Sequence, residues 1–132
     1  MFICANNIVR KKCQKIPMTI TIYHNPKCSK SRGTLKLLES YTIEIKIIDY
    51  LSNPPTTSEL KRIIKLLKIV PRELIRSSEQ IYKEKNLDRP NLSETELIEE
   101  MVQNPILIER PIVLSKKGAV IGRPPENVLK II

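Results

Sequence analysis

The chain has 132 residues, 41% of them hydrophobic, and carries 23 lysines and arginines against 14 acids, a formal charge of +9. That length and apolar content suit one domain around one core, and no stretch approaches the ~18 consecutive apolar residues of a membrane span. The basic balance does not mark a nucleic-acid binder: one phenylalanine and four tyrosines make no stacking platform, no long basic arm is present, and positive charge draws small anions equally well.

Residues 1–17 read as an appendage, flexible or reflecting a mis-assigned start, ahead of a domain over residues 18–132. A short apolar opening is interrupted by Asn6 and Asn7, and the basic residues Arg10, Lys11, Lys12 and Lys15 come after it. A secretory signal has the opposite order. Met18 directly precedes the first strand and would serve as a start. Cys4 and Cys13 belong to this appendage, so the domain proper has Cys28 alone and no internal disulfide framework. That usage suits a reducing cytosol, and the protein is expected to be cytoplasmic. A redox cycle at Cys28 must then take its second thiol from elsewhere.

Residues 19–23 predict a strand with Ile20 and Ile22 on one face. The loop His24-Asn25-Pro26-Lys27 follows, and Thr34-Leu35-Lys36-Leu37-Leu38-Glu39 reads as the next helix. Cys28 therefore sits where that helix starts. The first amides of a helix lack intrahelical partners and carry the positive end of its dipole, which favours a thiolate and suits a tetrahedral oxyanion. Lys27, Lys30 and Arg32 add positive charge, and a protonated His24 would add more. The plain alternative is a small buried apolar cysteine, but neighbours of Pro, Lys, Ser, Lys and Ser are not core composition. Ser31 completes a Cys-x-x-Ser pattern, a weak signal alone because serine is common at helix starts.

Residues 43–48 read as a second strand, and strand, helix, strand at this spacing indicates a parallel βαβ unit. Asn53-Pro54-Pro55 breaks the chain. Thr56 with Glu59 is a capping box, followed by a stripe of Leu60, Ile63, Ile64 and Leu67. Pro71 opens a short helix ending near Arg76, and residues 78–84 suggest another turn of helix. Ser93 with Glu96 is a second capping box, ahead of Leu97, Ile98, Met101 and Val102. Residues 56–103 thus form a largely helical block. Residues 111–114 and 119–121 read as a hairpin around Lys116-Lys117-Gly118, and Arg123-Pro124-Pro125-Glu126 leads into a last helix bearing Val128, Leu129 and Ile132. The order β-α-β, helical insertion, β-β-α is that of a thioredoxin-like α/β fold with a mixed four-stranded sheet.

Arg76, Arg110 and Arg123 each stand at an element end or in a loop, where side chains can converge. Arginine offers a tetrahedral oxyanion two parallel donors and stays charged. Four segments then resemble the ArsC family of glutaredoxin-coupled arsenate reductases: the loop from His24 to Arg32, Leu74-Ile75-Arg76, residues 105–113 with Glu109-Arg110-Pro111, and Ile121-Gly122-Arg123-Pro124-Pro125-Glu126. The likeness spans residues 18–132, and in detail it looks nearest to the YfgD-like branch.

The resemblance implies a nucleophilic role for Cys28, oxyanion binding by Arg76, Arg110 and Arg123, thiolate support from His24 and Ser31, loop shaping by Asn25, and a cis Arg110–Pro111 bond. It implies reduction of arsenate to arsenite with glutathione as reducing co-substrate and glutaredoxin as partner, by a monomer with no bound metal or organic cofactor, and with no nucleic-acid or membrane partner. The residues themselves show no Cys/His cluster of metal-ligand spacing. A phosphatase-like arsenate reductase needs Cys-x5-Arg, but the sixth position after Cys28 is Thr34. A monothiol glutaredoxin-like oxidoreductase would share Cys-x-x-Ser without accounting for the three arginines. A regulator resembling Spx, which binds RNA polymerase, would share the fold but usually carries Cys-x-x-Cys.

Overall fold

The computed structural model describes residues 18–41 and 43–132. The appendage expected over residues 1–17, with Cys4 and Cys13, lies outside the described residues.

Strand β1 (Met18–His24) leads through the cysteine loop into helix α1 (Ser29–Glu39), which returns the chain to β2 (Ile43–Asp49). β1 and β2 pair in parallel along their whole length, from Met18 opposite Ile43 to His24 opposite Asp49. The helical block follows as α2 (Thr57–Leu67), α3 (Pro71–Leu74), α4 (Gln80–Glu84) and α5 (Glu94–Gln103), with a 3-10 turn over Pro105–Leu107. Strands β3 (Ile112–Ser115) and β4 (Gly118–Ile121) form an antiparallel hairpin, and β3 also runs antiparallel to β1. The sheet order is β2-β1-β3-β4. This is a mixed sheet of thioredoxin-like architecture, with the helices of the insertion placed between β2 and β3.

The two-residue period of the strands divides the core. Ile20, Ile22 and Val113 face Leu38 of α1 together with Val128 and Ile131 near the C-terminus. Tyr23 and Ile112 face the other way, into a larger cluster with Leu60, Ile63, Leu74, Leu97, Met101 and Leu107. The insertion is thus the second cover of the sheet.

Both capping boxes form. Thr56 accepts from the Glu59 amide while the Glu59 carboxylate accepts from the Thr56 amide, and Ser93 and Glu96 repeat the exchange. Pro71 opens α3, but α-helical geometry ends at Leu74 rather than near Arg76. Ile75 instead adopts extended backbone and bridges Ile108 in antiparallel fashion, so the chain reaching Arg76 lies alongside the chain reaching Glu109.

The last element also differs in kind from the expected helix. Residues Pro125–Lys130 form a 3-10 helix. Neither Pro124 nor Pro125 has an amide to donate, and the first turn closes from the Asn127 amide to the Pro124 carbonyl, three residues back. The different winding leaves Val128 buried and Leu129 at 45% exposure.

Candidate active site

Cys28 is the N-cap residue of α1, in extended backbone with φ −97° and ψ 123°. Its amide donates to the Asn25 carbonyl at 3.0 Å, and its own carbonyl accepts from the Arg32 amide at 3.0 Å. The thiol is half-buried and free. Burial pushes its pKa up, but the Ser31 amide, the Arg110 guanidinium and the Lys30 amide outweigh that, and the net shift is downward. Lys30 therefore acts on the sulfur through its backbone N–H. Arg32 turns to donate to the Pro26 carbonyl at 2.9 Å.

A polar set beneath the sulfur fixes the loop. Ser31 is fully buried, and its Oγ lies 2.7 Å from His24 Nδ1 and accepts from the Asn25 amide at 3.0 Å. Asn25 Oδ1 accepts from the Lys27 amide at 3.0 Å, closing the turn from within. Burial is the largest influence on His24 and lowers its pKa; Asp49 opposes this and Arg32 reinforces it. The charged form of the ring is therefore disfavoured, which works against the added charge a protonated His24 would have given. The Ser31 hydroxyl and Nδ1 share a hydrogen bond in addition to the one Oγ accepts from the Asn25 amide. His24 thus positions Ser31, whose amide faces the thiolate.

The three arginines come together from three parts of the chain. Arg76 is set by its amide, which donates to the Leu107 carbonyl at 2.7 Å, and by the reciprocal bond from the Glu109 amide to the Leu74 carbonyl at 2.9 Å. Arg110 precedes Pro111 across a cis peptide bond, as the resemblance implied, and Arg123–Pro124 is cis as well. Arg123 is set by three anchors. The Gly122 amide donates to the Pro111 carbonyl at 2.9 Å, Thr34 Oγ1 donates to the Gly122 carbonyl at 2.9 Å, and Asn127 Nδ2 reaches the Ile121 and Arg123 carbonyls at 3.1 Å each. A β-carbon on Gly122 would lie 2.8 Å from the Thr34 side chain and 3.0 Å from Pro111, so only glycine lets this segment approach.

Two carboxylates that sequence reasoning passed over tie the guanidiniums to one another. Glu79 Oε2 pairs with Arg76 Nε at 3.0 Å and lies 3.7 Å from Arg110 Nη1. Glu109 Oε1 pairs with Arg76 Nη1 and, at 3.4 Å, with Arg123 Nη1. Arg110 itself is under-used: its side chain is 12% exposed, and the buried Nε and Nη1 have no hydrogen-bond partner. Tyr50, fully buried at the end of β2, lies beside Arg110. Burial pushes its phenol up to about 12 despite the pull of Arg110 and Arg76. Glu79 and Glu109 were detectable in principle, at three residues after Arg76 and next to Arg110; Tyr50 looked like an ordinary core residue.

Donors without hydrogen-bond partners on the largely covered Arg110 side chain, beside a thiol held toward its ionised form, are an arrangement chemically able to hold a small anion next to sulfur. The profile of the ArsC family matches residues 23–131. The chain belongs to the ArsC family. It is 49% identical over 114 residues to the protein named "Uncharacterized protein YfgD" of Escherichia coli K12, covering 86% of this chain and 96% of that one. It is 47% identical over 116 residues to a Haemophilus influenzae protein named arsenate reductase, covering 87% of this chain and all of the other. A solved structure described as arsenate reductase from Vibrio cholerae superposes with a TM-score of 0.86 at 47% identity, over 89% of this chain and all of that chain. Among the described residues no helix is long and apolar enough to cross a membrane, and no group of His, Cys, Asp and Glu side chains could hold a metal ion.

Proposed function

We propose that this protein reduces arsenate to arsenite with glutathione and glutaredoxin, using Cys28 as the nucleophile. The observation that carries the reading is the pairing of a thiol of lowered pKa with the unfilled donors of Arg110 at the N-terminus of α1. The family membership and the names of relatives such as the H. influenzae protein support it.

The Cys28 thiolate attacks arsenic(V), and one oxygen takes up protons and leaves as water. The amides of Lys30 and Ser31 and the arginines hold the oxyanion charge where it concentrates. The glutathione thiol then displaces a second oxygen of the arsenic adduct as water, forming a glutathione sulfur–arsenic bond. The glutaredoxin thiol then takes the glutathione sulfur as a mixed disulfide, and the electron pair of that sulfur–arsenic bond stays on arsenic, now arsenic(III). Water cleaves the remaining bond to Cys28, releasing arsenite and restoring the thiol. Arsenate and two thiols thus give arsenite, one disulfide and one water. The second thiol comes from outside because Ser31 stands where a Cys-x-x-Cys protein would carry its resolving cysteine, and its hydroxyl is committed to His24. Such a reaction belongs in the cytoplasm, where glutathione keeps thiols reduced, and would serve arsenic detoxification.

The test is a coupled assay of purified protein with arsenate, glutathione, glutaredoxin and NADPH. Arsenate-dependent NADPH oxidation is expected from the wild-type protein and none from Cys28→Ser. Activity surviving in that variant removes Cys28 as nucleophile. A folded but inactive wild-type protein that retains RNA polymerase on a column favours the regulator instead.

A further inference from the structure

Three donors converge on a single oxygen of Glu109. Oε1 accepts from Arg76 Nη1, from Arg123 Nη1 at 3.4 Å and from the Arg110 amide at 3.1 Å. Two of these donors are guanidinium groups of the arginines placed in the oxyanion pocket. The carboxylate therefore occupies, in the ligand-free protein, hydrogen-bonding capacity that an oxyanion oxygen would use. Glu79 binds the opposite edge of Arg76 through Nε, so Arg76 lies between two carboxylates. Arg110 makes no hydrogen bond through Nε or Nη1, and its Nη1 meets Glu79 Oε2 only at 3.7 Å.

We infer that Glu109 is a positioning residue that aligns Arg76 and Arg123 on one oxygen while acting as an internal counter-anion that holds the pocket's affinity for oxyanions below what the three arginines alone would give. The inference rests on the oxyanion-pocket reading, though not on turnover. Its two halves have different chemistry. Alignment needs only an acceptor at Oε1, which a glutamine carbonyl supplies. Competition needs the negative charge, which glutamine lacks. An incoming anion meets the free donors of Arg110 first, beside Cys28, and draws on Arg76 and Arg123 only as far as Glu109 yields them. A pocket of this kind binds its ground-state anion loosely, which leaves binding energy to be used in the transition state.

The experiment measures how arsenate, and sulfate as an inert tetrahedral anion, protect Cys28 from alkylation by iodoacetamide, with no glutathione or glutaredoxin present. Cys4 and Cys13 are replaced by serine so that one thiol is read. Glu109→Gln is expected to lower the half-protecting concentration by about fivefold, the effect of removing one like charge near a partly solvated anion. Glu109→Ala is expected to protect more weakly than Glu109→Gln, because both guanidiniums lose the oxygen that aligns them. Thermal unfolding confirms that each variant is folded, and if the alanine variant is not, the glutamine variant decides. Protection in Glu109→Gln equal to or weaker than wild type overturns the counter-anion role. Equal protection in the two variants overturns the positioning role. If neither anion protects the wild-type protein, the pocket itself is wrong and the inference goes with it. Protection without turnover in the coupled assay overturns the proposed reaction and leaves this inference standing.

Discussion

Cys28 owes its character to direction more than to the number of cations nearby. The basic residues flanking it in sequence suggested a cloud of positive charge. The groups that lower its pKa are instead two backbone amides of the first turn of α1 and one guanidinium from 82 positions further along the chain. The helix start was visible in the sequence because the alternating strand stops and the helical pattern begins on either side of the loop. The identity of the charge partner was not, because Arg110 reaches the sulfur only through the pairing of β3 with β1. Glu79 and Glu109 were given no role for the same reason: a glutamate's partner is set by tertiary placement. The thiolate is favoured by these groups, so the rate of Cys28 alkylation should rise with pH through a midpoint below the ~8.5 of an ordinary thiol. Arg110→Gln removes a positive charge that stabilises the ionised form, and should move that midpoint up. A wild-type midpoint at or above that of a free thiol, or one unmoved by Arg110→Gln, would contradict the assignment. The measurement is the pH dependence of iodoacetamide modification in the protein with Cys4 and Cys13 replaced.

At the scale of elements, strands and the long helices were legible because each carries its own period and its own caps. Thr56 and Ser93 mark helix starts with a chemistry that needs no knowledge of the rest of the fold. The segments that failed to follow the pattern are the ones that place site residues. Residues 75 and 76 leave the helix to lie beside residues 107–109, and the C-terminal segment winds as a 3-10 helix after two prolines. Gly122 shows what such placement requires. It sits between Thr34 of α1 and Pro111 ahead of β3, and its carbonyl and amide bond to one each. Gly122→Ala would force a methyl group to 2.8 Å from Thr34. The variant should lose about 1–3 kcal/mol of stability, the usual cost of overfilling a packed site. It should also displace Arg123, the next residue. Urea denaturation checks the first effect, and an unfolding midpoint equal to wild type would show that α1 moves aside freely.

The molecule as a whole puts its chemistry at one end of the sheet, where β1 ends, α1 begins, and the chain enters β3. Both faces of the sheet are covered, by α1 with the C-terminal segment on one side and by the helical insertion on the other. The insertion does more than cover: it supplies Arg76 and Glu79, so the cluster of arginines and carboxylates exists only when both halves of the fold have packed. Every candidate site residue lies between His24 and Arg123, and the domain contains one thiol. Reduction of an oxyanion by two electrons oxidises two thiols to one disulfide, so the reaction needs at least one thiol besides Cys28. The only others in the chain are Cys4 and Cys13, in a segment that precedes the first strand. If the resolving thiols come from glutathione and glutaredoxin, replacing both cysteines by serine should leave the rate of arsenate-dependent NADPH oxidation within about twofold of wild type, because neither thiol would then take part in the reaction. If instead the N-terminal segment folds back to supply a thiol, the double variant should lose most of its turnover, and the wild-type protein should complete a single turnover without glutathione. Quench-flow detection of arsenite from enzyme and arsenate alone separates the two: none is expected, because a lone thiol at Cys28 can form the arsenic adduct but cannot supply both electrons.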